Sequence, residues 1–371
     1  MTIRSISSVL AAGALALGAA ACGSSSDDTG SPSASGSSTT ASTTASVSGT
    51  VNGAGSTFAA PVYQQWGADL KGQGITVNFQ GIGSGGGVAA LAQGTAAFAG
   101  SDPALTDDDR ATFTKGEVTQ IPVFFGAITV SYNVDGVDAG LKLDGKTVAD
   151  MFLGKIKKWN DPAIAALNDG VDLPDKDIQI VHRSDESGTT KGFTTFLADE
   201  SPEWKKDVGV DKTVKWPTGT GAKGNDGVAA AIKQTDGAVG YVEQAYALQN
   251  DFTFADIKNK AGSFIKADLA STSAAGVGVD VPADLGLSTI NAPGDTAYPI
   301  TSQTFVDVYT DPCKSLGLKE GDAKALKGFL DYALGDGQAT LDKLFYAKLP
   351  DELLAKSKDA AAKLTCNGSA L

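Results

Sequence analysis

Three times along this chain an extended, apolar stretch runs into glycine and hydroxyl residues that open a helix. The three junctions are Gly53-Ala54-Gly55-Ser56-Thr57-Phe58, Gly81-Ile82-Gly83-Ser84-Gly85-Gly86-Gly87 and Arg183-Ser184-Asp185-Glu186-Ser187-Gly188-Thr189-Thr190. A helix start carries N–H groups without intrahelical partners and the positive end of the helix dipole, and glycine lets a ligand approach the backbone. Any one of these junctions reads equally as a helix cap at a tight turn. Three together, one beside an arginine, point to a convergent anion site. Around them strand and helix alternate, as in Ile75–Gln80 (strand), Gly87–Gln93 (helix) and Ala96–Ala99 (strand), which predicts an α/β fold with a largely parallel sheet. A further helix start is expected at Asp161-Pro162 and a surface helix over Asp351–Leu364. Ile121–Val134 and Tyr298–Tyr309 read as long strands. If both cross between the same two lobes, the first lobe comes from both ends of the chain and the second from its middle. No fixed-period repeat suggests a solenoid or propeller.

The N-terminus places this body outside the cell. Arg4 precedes an apolar run from Val9 to Ala21, too short for an ordinary membrane span, so residues 1–21 are expected to be a signal peptide. Ala19-Ala20-Ala21-Cys22 resembles a bacterial lipobox, in which the cysteine becomes the lipidated N-terminus, although alanine stands where leucine is usual. An ordinary secretory signal with an incidental cysteine is the alternative. Residues 22–48 are nearly all Ser, Thr, Gly, Ala and Asp, a solvated tether of about 27 residues that spans on the order of 30 Å as a random coil. Cys313 and Cys366 then remain as an even pair in an exported body and are expected to form a disulfide, with two free buried thiols as the other reading.

A formal net charge of −13 argues against a nucleic-acid partner, and it also means that an anion site here must work by local donors rather than by long-range attraction. Gly81 to Gly86 matches the dinucleotide pattern G-x-G-x-x-G, but so does Gly219 to Gly224, and a chain with 45 glycines meets so permissive a pattern by chance. The single histidine, His182, leaves no base for a serine triad and reads as a structural residue. The acidic run Asp107-Asp108-Asp109 reads as a solvated helix start rather than a metal cluster. No cofactor or metal is expected, and the site reads as a binder, not an enzyme. The rival readings are a secreted phosphohydrolase or a receptor for another oxyanion.

Taken together the motifs resemble the phosphate-binding receptors of bacterial ABC importers. The match runs through Gly53 to Phe58, Gln80 to Ser84, Gly100-Ser101-Asp102, Leu143 to Thr147, Gly154 to Trp159, Arg183-Ser184-Asp185 with Ser187-Gly188-Thr189, Lys223-Gly224-Asn225-Asp226-Gly227, Gly240 to Glu243 and Pro299 to Ser302. The resemblance implies a two-lobed type II periplasmic-binding-protein fold, with the ligand in a cleft between lobes joined by a two-strand hinge. Lobe I would be 49–126 with 299–371 and lobe II 127–298. It implies phosphate contacts from the Thr57 hydroxyl, the Phe58 N–H, Ser84, the Arg183 guanidinium held by Asp185, and donors on Ser187, Gly188 and Thr189, with Asp102 as the one acceptor. An N-cap before Pro103 is the alternative for Asp102. The implied partners are inorganic phosphate, a membrane-embedded ABC phosphate permease and the membrane itself through Cys22, for a receptor that is expected to be monomeric. Lys155, Lys157 and Lys158 beside Trp159 could aid docking, though a solvated basic helix end describes them equally well.

Overall fold

Alternation of strand and helix builds the first part of the fold. In a computed structural model, which describes residues 47–371, strand β1 (Gly49–Gly55) leads into helix α1 (Ala60–Lys71), β2 (Ile75–Gly81) into α2 (Ser84–Gln93), and β3 (Phe98–Ser101) follows. The expected signal peptide, Cys22 and all but the end of the tether lie outside the described residues. After β3 come a short helix α3 (Asp107–Ala111), the long strand β4 (Val118–Asn133) and helix α4 (Gly145–Phe152). The middle of the chain repeats the strand-to-helix design with β5 (Gln179–Arg183) and α5 (Gly188–Glu200), then β6 (Thr220–Ala222) and α6 (Gly224–Gln234), then β7 (Ala238–Glu243). The last long strand is β8 (Thr301–Tyr309), followed by helices α7 (Glu320–Ala333) and α8 (Asp351–Ala361).

These strands form one nine-stranded sheet in the order β2-β1-β3-β8-β4-β7-β5-β6, with Thr253–Phe254 as the ninth strand on β4. Its two wings are parallel, β1 with β2 and β3, and β5 with β6 and β7. The centre departs from the expected parallel sheet. There β8 runs antiparallel to both β3 and β4, and β4 antiparallel to β7, because the long strands carry the chain between the wings instead of following a helix crossover. Strand β4 changes partner part-way. Val118–Ala127 pairs with β8 and Ile128–Asn133 with β7, so one strand is shared by two halves of the sheet.

Both central strands are covered on both faces, which is why they read as near-continuous runs of Val, Ile, Phe and Thr. Around β4 an aromatic core packs both edge to face, with Trp66 5.7 Å from Phe124, and stacked, with Phe98 4.9 Å from Phe329. Helix α8 is shorter than expected and buries Leu353, Ser357, Ala360 and Ala361, so only one of its faces meets solvent. The expected cap at Asp161 is present, its Oδ1 accepting from Ala163 N–H at 2.9 Å. Cys313 and Cys366 form the expected disulfide, closing a separation of 53 residues. Of the basic cluster, Lys155 pairs with Glu203 and Lys158 with Asp175, while Trp159 is wholly buried and donates to Gly237 O, which leaves no aromatic there for a partner to touch.

Candidate functional site

The three glycine-and-hydroxyl junctions meet where the two halves of the sheet face each other. At the first, β1 ends and Ser56 turns the chain toward α1, its Oγ accepting from the N–H groups of Phe58 (3.0 Å) and Ala59 (3.3 Å). The Phe58 N–H that sequence reasoning singles out is thus engaged within its own turn. Thr57 and Phe58 are both buried, and Thr57 O accepts from Tyr246 Oη at 2.7 Å. At the second, α2 begins at Ser84, three residues before the expected start, because Gly83 supplies a positive φ of 85° and turns the backbone directly into the helix. A Cβ on Gly83 would lie 2.5 Å from Glu186 O of the third junction, so the two backbones approach as closely as glycine allows. Gly85 N–H donates to the same Glu186 carbonyl at 3.2 Å.

At the third junction β5 delivers Arg183, only 3% exposed, and Ser187 caps α5 by accepting from Thr190 N–H at 3.1 Å. The Arg183 guanidinium forks onto Asp185, with Nε 2.7 Å from Oδ1 and Nη2 2.6 Å from Oδ2, and its Nη1 donates to Thr189 Oγ1 at 3.4 Å. Burial works to raise the Asp185 carboxyl, but the Arg183 hydrogen bonds and charge, joined by Gly224 N–H, outweigh it and hold Asp185 below the usual carboxylate range. The fork is therefore an ion pair that keeps a buried cation in place. Gly188 and Thr189 open α5, where first-turn N–H groups have no intrahelical acceptor.

Asp102 sits between the second and third junctions, 1% exposed. It caps no helix, which removes the N-cap reading; α3 starts only at Asp107, capped by Thr106. Instead Asp102 Oδ2 accepts from Ser84 Oγ at 3.3 Å and Oδ1 from Thr304 Oγ1 at 3.4 Å, while Gln303 Nε2 donates to its carbonyl at 2.8 Å. Burial pushes its carboxyl up to about 6, against the pull of Ser56, Arg183, Ser84 and Thr304. A Cβ on Gly188 would meet Asp102 Oδ2 at 2.6 Å, so Asp102 lies directly against the start of α5.

Every residue expected at the site is thus gathered at one place, with Thr57, Phe58, Ser84 and Asp102 on one half and Arg183, Ser187, Gly188 and Thr189 on the other. Sequence reasoning missed Asn225, wholly buried at the start of α6, which donates from Nδ2 to Thr57 Oγ1 (3.0 Å) and Thr189 Oγ1 (3.2 Å). Its signal in the sequence is its place in the run from Lys223 to Gly227, which by itself assigns it no role. Ser56, which holds the first turn, was missed too, since it is one of many serines at glycine-rich bends. His182 stacks on Trp216 at 4.6 Å and is half-buried, a structural residue as expected. Asp109 of the acidic run is not merely solvated. It completes a capping box with Thr106 and pairs with Lys212 at 2.6 Å, another contact between the two halves.

The signature of the PBP superfamily domain matches residues 40–336. A phosphate-binding protein PstS of Pasteurella multocida (strain Pm70) is 42% identical over 311 residues, 83% of this chain and 88% of that protein. The phosphate-binding protein PstS of Xylella fastidiosa (strain Temecula1) is 40% identical over 308 residues, 82% of each chain. Among solved structures, a high-affinity periplasmic phosphate-binding protein bound with phosphate superposes with a TM-score of 0.71 at 22% identity, covering 84% of this chain and 93% of that one. A phosphate-binding protein from Stenotrophomonas maltophilia gives 0.67 at 20% identity over 84% of this chain and 94% of its own.

Proposed function

Because this chain belongs to the PBP superfamily and, within it, to the family of PstS phosphate-binding proteins, we propose that it captures inorganic phosphate outside the membrane and delivers it to an ABC importer. The fold is the type II periplasmic-binding-protein fold, and the protein is exported. The observation that carries the reading of the site is the pairing of a buried guanidinium fork at Arg183 with one buried acceptor at Asp102, among hydroxyl and helix-start donors. Phosphate near neutral pH keeps at least one proton and can donate it to Asp102. Sulfate has none, and would set its oxygen against an unbridged carboxylate in a dry site, at a cost of several kcal/mol.

In this reading Thr57, Phe58, Ser84, Arg183, Ser187, Gly188 and Thr189 donate to the anion, and Asp185 holds Arg183. Phe58 N–H shares itself between Ser56 Oγ and the ligand. Ser187 keeps its cap through its oxygen and has its hydroxyl proton free to give. The halves act as lobes, 49–126 with 299–371 and 127–298, that close over the ligand about the point where β4 changes partner, with phosphate favouring the closed state. The ligand is held by donors and one acceptor and leaves unchanged. The receptor works as a monomer held to the outer face of the membrane by lipid on Cys22, with residues 23–48 as its stalk.

The test is calorimetric titration of the ligand-stripped protein with phosphate and then sulfate. One-to-one phosphate binding untouched by excess sulfate and lost in Arg183→Ala is expected. A protein that ignores phosphate, or takes sulfate equally well, would sink the assignment of this site.

A further inference from the structure

Asn225 is buried completely at the first turn of α6, and its amide is fixed in one orientation. Oδ1 accepts from Glu243 N–H at 3.0 Å, which turns Nδ2 toward the site. From there Nδ2 donates to Thr57 Oγ1 at 3.0 Å and to Thr189 Oγ1 at 3.2 Å, and the Asn225 backbone N–H donates to Thr57 Oγ1 at 3.1 Å. A threonine hydroxyl has two lone pairs and one proton. On Thr57 both lone pairs face N–H groups that cannot accept, so the proton is left to point elsewhere. Thr189 Oγ1 is in the same position, receiving Asn225 Nδ2 and Arg183 Nη1.

We propose that Asn225 is a positioning residue for selectivity: it bridges the two halves of the sheet and locks the Thr57 and Thr189 hydroxyls as donors toward the bound anion. The inference rests on the reading of this site as the phosphate site. Its consequence is an exclusion. A hydroxyl free to rotate could accept a proton from the ligand or donate one, and so would blur the distinction between protonated and bare oxyanions. With both threonines committed to donation, the Asp102 carboxylate is left to read the ligand's proton. Because Thr57 and Asn225 stand on different halves, the Thr57 hydroxyl is committed only when those halves meet, whereas Thr189 is held from within its own half.

The test uses the full chain, stripped of ligand and titrated with inorganic phosphate, in five forms: unsubstituted, Asn225→Asp, Asn225→Ala, Thr57→Val, and the last two combined. Asn225→Asp keeps Oδ1 for Glu243 N–H but replaces the donor with an acceptor, so both hydroxyls turn inward; the chain keeps its packing if Asn225→Ala should fail to fold. Asn225→Ala is expected to weaken phosphate binding about 10-fold and Asn225→Asp about 100-fold. Since Asn225 acts through the hydroxyls, the combined variant is expected to bind at least about 3-fold more tightly than the product of the two single losses allows. A purely structural role would give losses that multiply, and that result overturns the inference. Binding within twofold of the unsubstituted protein in both Asn225 variants overturns it as well and leaves the phosphate reading intact. Failure of the unsubstituted protein to bind phosphate brings down both.

Discussion

At the scale of single residues, the buried carboxylate of Asp102 costs the empty protein stability in a definite pH range. Its acid form is favoured by burial, with the folded value about 6 against an ordinary 3.8. A group raised in this way contributes stability that is full below the ordinary value and is lost as pH rises through the folded one. Ligand-free protein should therefore lose about 3 kcal/mol on this account between roughly pH 4 and pH 6. Asp102→Asn should reduce the pH slope by that amount in urea denaturation followed across the range, and should also narrow the ratio of phosphate to sulfate affinity. The remainder belongs to Asp307 and Glu243, which burial also raises well above the usual range, and a slope as steep in the variant as in the unsubstituted protein would show that Asp102 carries none of it. Arg183, Asp102 and the junction hydroxyls were legible in the sequence because they lie in short, ordered runs. Asn225 was not, because its role consists of bonds to Thr57 and Thr189, residues remote from it along the chain.

At the scale of elements, the closeness of helix starts is the property that matters, and glycine permits it. Gly188 at the head of α5 touches the Asp102 turn so tightly that a methyl group would lie 2.6 Å from both Asp102 Oδ2 and Pro103 Cδ. Neither neighbour is the loose end of a flexible chain, so the helix itself has to move. Gly188→Ala is expected to hold α5 away from the turn and lower phosphate affinity at least about tenfold, as measured by calorimetry. Unaltered affinity would show that α5 need not approach Asp102 for capture. The strand-to-helix junctions were readable from glycine and hydroxyl spacing, yet their exact starts were not. The first turn at Ser56 delays α1 to Ala60, whereas Gly83 lets α2 begin early at Ser84.

For the whole molecule, the decisive element is β4, which belongs to one half of the sheet as far as Ala127 and to the other from Ile128. Cross-half bonds such as Tyr246 Oη to Thr57 O and Lys212 to Asp109 describe a molecule with its halves together. Fluorescent labels on Lys71→Cys and Lys233→Cys, both exposed and on opposite halves, should approach one another when phosphate is added and not when sulfate is. An unchanged distance would argue against hinge closure. What the sequence determined alone was the α/β class, the three donor-rich helix starts and the paired cysteines, all of them patterns of residue type and spacing, while the arginine–aspartate fork followed from the family resemblance. The antiparallel centre of the sheet, the burial that lifts Asp102 and the hydroxyls turned by Asn225 were decided only by the tertiary structure. They arise from contacts between segments far apart in the chain, and neither the path of a strand between two halves nor the desolvation of a carboxylate is written in its immediate neighbours.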